Sequence, residues 1–323
     1  MLRERATYLA YAGGWRAVRW MPERAAYALF QQLADQQWRT RGKSVQRLEA
    51  NLARALGEVD EARLREVSRA GMRSYMRYWC DAFRLPSWDD ARIDAFELRG
   101  MERLTEQVDS GRGAVVALPH MGNWDHAGAY ASRHVSPVHT VAEVLEPEAL
   151  FRAFVDYRES LGMRIYGLGE ENVYHELAGT LDEGGLVALL ADRDLSARGI
   201  EVEFLGEAAR FPAGPAALAV DTGAALFTAS LYWVGHNVAE ILPEIVPPAE
   251  GTRDERIRAA TQAIADALED GIRQHPEDWH MLQRLFLADL DPDRLAERDA
   301  VAGPDAGESA TIAPPDGTGG VAR

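Results

Sequence analysis

The segment best suited to chemistry is a turn that carries a histidine and an aspartate five residues apart, His120 and Asp125. It follows the apolar run 114–118, which predicts a buried strand ending at Pro119. A histidine there stands at the carboxyl end of a strand, the edge where open α/β sheets bind their ligands. We expect Asp125 to lie in the first turn of the next helix and to reach back to the imidazole. A carboxylate on one ring nitrogen would make the other nitrogen a general base, suited to deprotonating an alcohol.

A second charged group follows the apolar run 186–191, namely Asp192, Arg193 and Asp194. Because that run also reads as a buried strand, these side chains are expected at the same sheet edge as His120. They indicate either part of a functional site or an ion-pair network exposed at the edge of the sheet. Their spacing alone leaves both interpretations open.

Two further patterns have both a functional and a structural interpretation. Pro212, Gly214 and Pro215 precede an alanine-rich segment and suit a backbone that approaches a phosphate or a thioester carbonyl. They are equally typical of an ordinary helix start, where proline is favoured. Trp279 and His280 are expected to be a packed aromatic ring and a core histidine with its hydrogen bonds satisfied, rather than a catalytic pair.

The order of the strand-like and helix-like segments that must position these residues predicts an α/β fold. We expect a central, mostly parallel or mixed sheet flanked by helices. Helical patterns dominate residues 1–100, and from Gly113 onward short apolar runs alternate with helix-like stretches. The predicted strands cover residues 114–118, 139–144, 164–168, 186–191, 225–233 and 238–242. We therefore expect a helical N-terminal region over 1–100 packed on the core, an α/β core over 101–298, and a disordered tail over 299–323.

Composition excludes some partners and compartments. The formal net charge of −16 over 323 residues argues against nucleic acid, which requires a basic surface. It also means that any docking on an anionic membrane needs a local basic or apolar patch. The single cysteine, Cys80, fits a reducing compartment. The first residues do not resemble a signal peptide, which favours a cytoplasmic chain, soluble or peripherally attached to a membrane.

The N-terminal segment mixes aromatic residues with arginines, among them Trp15, Trp20, Arg16 and Arg24. Such a mixture suits the headgroup region of a bilayer. It is equally compatible with a helix that packs its rings in the core and leaves its arginines in solvent. The predicted helices cover residues 7–21, 24–40, 44–56, 61–83 and 254–274.

The sequence around His120, Pro-His-Met-Gly-Asn-Trp-Asp over residues 119–125, resembles the His-x4-Asp motif of the glycerolipid acyltransferase superfamily. Its His-x-Gly-Asn-Trp-Asp form is similar to the branch that includes the lipid A late acyltransferases. Further segments narrow the resemblance to the phosphatidylinositol mannoside acyltransferases of actinobacteria. These segments are residues 140–143, 157–162, 191–195, 211–215 and 275–283, and the likeness runs from about residue 8 to about residue 290.

The resemblance implies an enzyme at the cytoplasmic face of the plasma membrane, peripherally bound. It implies transfer of a fatty acyl chain from acyl-CoA, typically palmitoyl-CoA, to a mannose hydroxyl of a phosphatidylinositol mannoside. Neither a cofactor nor a metal is expected, and no covalent intermediate is needed, because the chain has no Gly-x-Ser-x-Gly elbow. A long apolar groove for the acyl chain is also implied, with candidate linings at Trp124 and in residues 114–118 and 224–231.

The resemblance also implies roles for individual residues. His120 is the base, Asp125 its motif partner, and Asp192 an acidic support of the histidine at a position where the family typically has glutamate. The shorter aspartate must therefore sit closer to His120 or act through water. Glu143 and Arg158 match positions that line the acceptor site. The rest of the predicted substrate-binding set is Asn123, Trp124, Arg193, Asp194, Pro212 and Gly214.

Three alternatives remain. A metal-dependent hydrolase could use His120, Asp125, His126, Asp192 and Asp194, although the chain lacks the close His-x-His or His-Glu-x-x-His spacing that pre-sets metal geometry. A peripheral membrane scaffold would use only the aromatic N-terminus. Within the same superfamily the acceptor could be a lysophospholipid, lipid A or glycerol phosphate. Glycerol phosphate is disfavoured, because residues 211–215 read Phe-Pro-Ala-Gly-Pro where the glycerolipid enzymes have Phe-Pro-Glu-Gly-Thr.

Overall fold

A seven-stranded mixed sheet forms the centre of the protein, whose computed structural model describes residues 13–144, 148–194 and 199–290. The strands are β1 (Glu97–Arg99), β2 (Ala114–Leu118), β3 (Val138–Ala142), β4 (Arg164–Gly167), β5 (Leu186–Leu190), β6 (Ile200–Phe204), β7 (Glu207–Phe211), β8 (Ala225–Trp233) and β9 (Asn237–Ile241). The sheet order is β1-β9-β8-β2-β5-β3-β4, and only β8 and β9 pair antiparallel within it. Strands β6 and β7 form a separate hairpin.

Helices cover both faces of this sheet. Residues 13–20 are helical (α1), followed by α2 (Glu23–Thr40), α3 (Lys43–Leu56), α4 (Glu61–Arg84), α5 (Asp90–Ile93), α6 (Met101–Asp109), α7 (Trp124–His134), α8 (Glu148–Glu159), α9 (Val173–Asp182), α10 (Gly214–Thr222) and α11 (Arg253–Gln274). Helices α10 and α11 pack on one face, and α6 and α7 pack on the other. The predicted α/β class with a flanked, mostly parallel sheet is confirmed.

The central strands β2, β5 and β8 form where the sequence has uncharged apolar runs. Every residue of β8 except its last is buried, as expected for a strand covered on both faces. Strands β2 and β5 pair in parallel with Leu118 opposite Leu190, so both end at the same edge. Their next residues therefore carry His120 and Asp192 to one place, which is how the fold assembles the site.

The helical N-terminal region contributes to the same core as the sheet. Val45, Leu48 and Leu52 of α3 and Met72 of α4 pack in one apolar cluster with residues of β2 and β5. Asp60 caps the N-terminus of α4, because its side chain accepts a hydrogen bond from the Arg63 amide. The predicted helices within residues 24–40, 44–56, 61–83 and 254–274 are all present, with ends that differ by a residue at most.

Some elements differ from the sequence-based prediction. The hairpin of β6 and β7 was not predicted, because its alternating charged and apolar residues give no continuous apolar run. The short strand β1 lies inside the predicted helical region of residues 1–100 and adds an edge strand to the sheet. Residues 7–12 of the first predicted helix and the predicted disordered tail, 299–323, lie outside the described residues.

Candidate active site

The turn that carries His120 is held by a segment near the C-terminal end of the described chain. The amide of Gly122 donates to the Asp278 carbonyl at 2.9 Å, and the amide of His280 donates to the His120 carbonyl at 2.7 Å. Gly122 has a φ of +59°, and a Cβ at this position would lie 2.7 Å from the backbone of Leu231. Glycine is therefore required here both for backbone conformation and for space.

Asp192 lies directly behind the imidazole of His120. Its Oδ1 is 2.5 Å from His120 Nδ1, while its Oδ2 accepts hydrogen bonds from the His120 amide at 3.0 Å and from the Trp279 indole at 2.9 Å. Asp192 is completely buried, which by itself would raise the pKa of its carboxyl. The charge of His120 and the donated hydrogen bonds outweigh burial, so this pKa lies below its ordinary value.

An ionised Asp192 can only accept, so in the neutral form of His120 the hydrogen is on Nδ1 and the lone pair is on Nε2. The arrangement is the one that a general base requires. The sequence left open whether the short aspartate would reach the histidine directly or through water, and the contact is direct.

Asp125 is placed differently from the sequence-based expectation that it would reach back to the imidazole. Its Oδ1 accepts from Arg158 Nε at 2.7 Å, and its Oδ2 accepts from the Tyr78 hydroxyl at 3.1 Å. Its carboxylate makes no hydrogen bond to His120 within the described chain. In the structure Asp192 takes the expected place, because β5 ends beside β2 and α7 turns the Asp125 side chain towards α4 and α8. A direct catalytic role of Asp125 stays a prediction.

Asn123 and Trp124 begin helix α7. Asn123 caps the helix by accepting from the His126 amide at 2.9 Å, and its Nδ2 donates to Asp81 at 3.0 Å. Trp124 lies against Tyr78 with ring centroids 4.0 Å apart, and its ring is 5.9 Å from that of His120. Its indole Nε1 is buried and has no hydrogen-bond partner among the described residues. Asn123 thus positions the helix, whereas Trp124 has an indole N–H without a partner among the described residues, in a ring that lies edge-on to the His120 imidazole.

Glu143 lies just after β3, at the same edge of the sheet. Its Oε2 is buried and unpaired within the described part of the chain, and burial raises the pKa of its carboxyl although the charge of Arg193 opposes this. Arg193 and Asp194 are both buried, and the Asp194 amide donates to the Arg210 carbonyl at 2.7 Å. Of the two interpretations left open by the sequence, an ion-pair network exposed at the sheet edge does not fit this burial.

Pro212 and Gly214 lead into helix α10. Pro212 is buried, and the helix begins at Gly214 and continues with Pro215, so the expectation of a helix start is confirmed. Since β8 follows α10 and runs parallel to β2, the N-terminus of α10 lies at the edge of the sheet that carries His120. Contact of Pro212 and Gly214 with a substrate stays a prediction.

An apolar cavity opens beside Trp124 and runs between the sheet and helices α6 and α7. The space not filled by protein atoms, together with the open solvent at its entrance, amounts to about 770 Å³. Its walls come from alternate residues of one sheet face, including Val116, Leu118, Ala229 and Leu231. Trp124, residues 114–118 and residues 224–231 were the candidate linings for an acyl chain, and each contributes to this cavity. Asp125 and Arg158 provide its polar wall.

Residues 1–288 match the family model of bacterial lipid A biosynthesis acyltransferases. The chain belongs to this acyltransferase family. It is similar to the phosphatidylinositol mannoside acyltransferase of Mycolicibacterium smegmatis, with 42% identity over 294 residues that cover 90% of this chain and 94% of the relative. It is also similar to the phosphatidylinositol mannoside acyltransferase of Mycobacterium tuberculosis, with 41% identity over 297 residues that cover 90% of this chain and 92% of the relative.

Trp279 and His280 of this acyltransferase-family protein lie closer to the site than the sequence suggested. Trp279 is packed, as expected, but it also donates to Asp192. His280 was expected to have its hydrogen bonds satisfied, which is wrong. Its Nε2 lies 3.0 Å from the Ser74 hydroxyl, while its buried Nδ1 has no partner in the described residues. Burial, then the charges of Arg77 and His120, hold the pKa of His280 well below its ordinary value.

Within the described ranges, the residues proposed for a metal-dependent hydrolase do not converge on one point, because His126 and Asp125 are bound by other partners. His126 points away from His120, since its Nε2 donates to the Ile93 carbonyl at 2.9 Å and its Nδ1 faces Asn237. Asp125 is bound by Arg158. Across the ranges 13–144, 148–194 and 199–290, no group of three or more His, Cys, Asp or Glu side chains could hold a metal ion.

Proposed function

We propose that this protein transfers a fatty acyl chain from acyl-CoA to a mannose hydroxyl of a phosphatidylinositol mannoside, with His120 as the general base. The observation that carries the proposal is the His120–Asp192 pair next to Trp124, which lines an apolar cavity, in a chain of this family. The acceptor comes from the names of the two mycobacterial relatives. The proposal includes no resident cofactor or metal and no covalent acyl-enzyme.

The reaction follows from the lone pair on His120 Nε2. This atom takes the proton of the sugar hydroxyl as the oxygen attacks the thioester carbonyl. The new C–O bond forms, the C–S bond breaks, and the protonated histidine returns its proton to the departing thiolate. Asp192 stabilises the imidazolium in between. Cys80 does not serve as nucleophile in this scheme, and burial raises the pKa of its thiol to about 12.

The oxyanion of the transition state needs a hydrogen-bond donor. Backbone amides often serve as such donors, but those of His120, Met121 and Gly122 already donate to Asp192, Pro119 and Asp278. The unused indole N–H of Trp124 is the donor we propose instead. Replacing Trp124 by phenylalanine should lower kcat by about 10²–10³-fold, the usual effect of removing one oxyanion donor. A loss under about threefold in a folded W124F variant would argue against this role.

The acceptor sugar is proposed to bind between Glu143 and Arg193. A buried carboxylate oxygen without a partner, such as Oε2 of Glu143, lowers stability unless a ligand donates a hydrogen bond to it. Sugar hydroxyls can donate such hydrogen bonds. In this proposal Arg158 acts indirectly, because it holds Asp125 against the cavity wall. Asp194, Pro212 and Gly214 would line the part of the site towards α10.

The proposed location is the cytoplasmic face of the plasma membrane, with peripheral attachment. Trp20 is 87% exposed, and Leu29 and Leu33 are partly exposed one turn apart on α2. By contrast, Trp15 is buried against Phe83, so its ring is not part of this proposed membrane contact. No helix within the described ranges is both long and apolar enough to cross a membrane. Flotation with anionic vesicles tests the proposal, and unchanged binding after Trp20→Ser with Leu29→Ser would contradict it.

The proposed reaction is tested with purified protein, palmitoyl-CoA and either a phosphatidylinositol mannoside or a lysophospholipid as acceptor. CoA release and product mass are followed together. We expect mannoside-dependent acylation that falls by about 10³-fold or more in His120→Ala. Product from the lysophospholipid alone would refute the acceptor but keep the mechanism. Near-normal turnover by His120→Ala would refute the mechanism, and activity abolished by EDTA would favour the metal-dependent hydrolase.

A further inference from the structure

Beyond Trp124, the face of helix α7 that covers the sheet carries only small side chains. Trp124, Ala127, Gly128 and Ala131 lie at helical spacing on that face, and all four line the apolar cavity. A helix packed on a sheet normally fills this space with large side chains, and an unfilled apolar cavity lowers stability. The small residues therefore keep open a space that costs the fold stability, which indicates that a ligand occupies it.

The register of the strands gives the depth of this cavity. Leu186 pairs with Ala114 on one side and with Val138 on the other, and Met163 stands one residue before the start of β4, opposite Val138. Met163 therefore lies at the level of Ala114, the first residue of β2, whereas His120 lies two residues after Leu118, the last residue of that strand. About six residues along a parallel strand span roughly 20 Å. The hydrocarbon part of a bilayer is roughly 30 Å thick, so one layer of acyl chains spans about 15 Å. The distance along the strand is therefore long enough for one acyl chain.

Gly128 and Met163 meet in the wall of the cavity, one turn of α7 beyond Trp124. A Cβ added to Gly128 would lie 2.5 Å from Met163 Sδ, a separation that real contacts do not reach. The thioether can move because methionine has three flexible side-chain bonds. Both residues line the cavity, so a displaced thioether takes up space inside it.

We propose that the Gly128–Met163 contact sets the maximum length of the acyl chain that the enzyme accepts. The proposal rests on the proposed acyl transfer and deepens it: the ligand of the cavity is the alkyl chain of the thioester donor, with its last methylenes against Met163. Gly128 lets the sulfur lie against the helix, and Met163 closes the space.

The test compares kcat/KM for lauroyl-, myristoyl-, palmitoyl- and stearoyl-CoA. Each methylene removed from an apolar site costs roughly fourfold in binding. If the displaced thioether excludes about two methylenes, Gly128→Ala lowers the preference for palmitoyl over lauroyl by roughly 15-fold. Met163→Ala should shift the preference towards stearoyl. Combining the two changes should return the profile towards that of the natural protein, because the methyl group added to helix α7 then meets no sulfur.

Gly179→Ala is the matched control. Gly179 also lies inside a helix, α9, and a Cβ there has no neighbour within 4 Å. This substitution gains the same helix propensity without touching the cavity, so we expect an unchanged chain-length profile. An equal shift in this control would overturn the proposal, as would a folded Gly128→Ala variant with the profile of the natural protein. Should Gly128→Ala fail to fold, an unchanged profile in Met163→Ala would overturn it.

A second readout separates this proposal from the proposed reaction. Free fatty acids of increasing length should raise the Tm of the natural protein up to one length and then no further, and that length should fall in Gly128→Ala. This pattern in a protein that transfers no acyl group from any thioester would refute the reaction and support the length limit. Transfer with a Tm profile that is the same in both proteins would refute the length limit alone.

Discussion

Replacing Asp192 by asparagine removes the charge behind His120 and keeps the shape of the side chain. The carboxylate accepts two hydrogen bonds through Oδ2, from the His120 amide and the Trp279 indole, and one through Oδ1 from His120 Nδ1. An asparagine can keep both bonds at Oδ2 if its oxygen stays there, which turns its NH₂ group towards Nδ1. The reverse orientation would break two buried bonds at about 1–3 kcal/mol each, so the first orientation is favoured.

In that orientation Nδ1 accepts and the proton moves to Nε2, so the histidine presents a donor where a base is needed. The same exchange in serine protease triads lowers kcat by about 10⁴-fold. We therefore expect Asp192→Asn to lose about 10³–10⁴-fold in kcat, equivalent to about 4–5.5 kcal/mol of activation free energy.

The assay is CoA release in the presence of a phosphatidylinositol mannoside, with Tm as the check of folding. Asp192→Glu is the control, because it restores the charge while an added methylene at a fully buried position costs about 1–3 kcal/mol of stability. We expect this variant to keep activity within about tenfold of the natural protein. A folded Asp192→Asn protein that also stays within about tenfold would refute the assignment of the carboxylate to the His120 tautomer.

Three further changes test other parts of the site. Glu143→Gln should raise Tm at neutral pH, because burial raises the pKa of the Glu143 carboxyl in the folded protein. The protonated carboxyl therefore contributes stability below its unfolded pKa, and this contribution is lost as the pH rises through the folded pKa. The gain should vanish in acid while transfer to the mannoside falls, and an equal gain at all pH values would contradict the explanation. Gly122→Ala should lower both Tm and kcat, because the new Cβ meets the Leu231 backbone, and normal kcat would show that the turn tolerates the shift. Arg158→Met should cost about 3–5 kcal/mol in urea unfolding, because it leaves the charge of Asp125 buried without a cation, with the hydrogen bond from the Tyr78 hydroxyl remaining. Asp125→Asn in the same background should recover part of it, and full additivity of the two changes would refute the pairing.

Much of the fold was predictable because its signals are local. The apolar runs that became β2, β5 and β8 are continuous and uncharged, and such runs are typical of strands buried on both faces. The hairpin of β6 and β7 escaped because one of its faces is charged and its pairing is set by a tight turn at Leu205 and Gly206, both with positive φ. Predicting it required the turn rather than the apolar pattern.

The site was predictable as a set of residues but not as a set of contacts. His120 and Asp192 were each expected at a strand end, and the parallel pairing of β2 and β5 brings them together. Asp125 was expected on the imidazole because it is near in sequence, yet Arg158 binds it. The contacts of His280 could not be predicted from its neighbours in sequence, because its hydrogen-bond partners are Ser74 of α4 and the His120 carbonyl.

The sequence by itself determined the alternation of strands and helices, the choice of His120 as the candidate base and the family to which the chain belongs. Each of these depends on residue type and short-range spacing, which the chain carries before it folds. Only the tertiary structure decided which carboxylate contacts that histidine, which indole remains free to donate, and how deep the apolar cavity is. Those properties depend on distances between segments that lie far apart in sequence, and such distances are fixed by the register of parallel strands and by the packing of helix α7 over them.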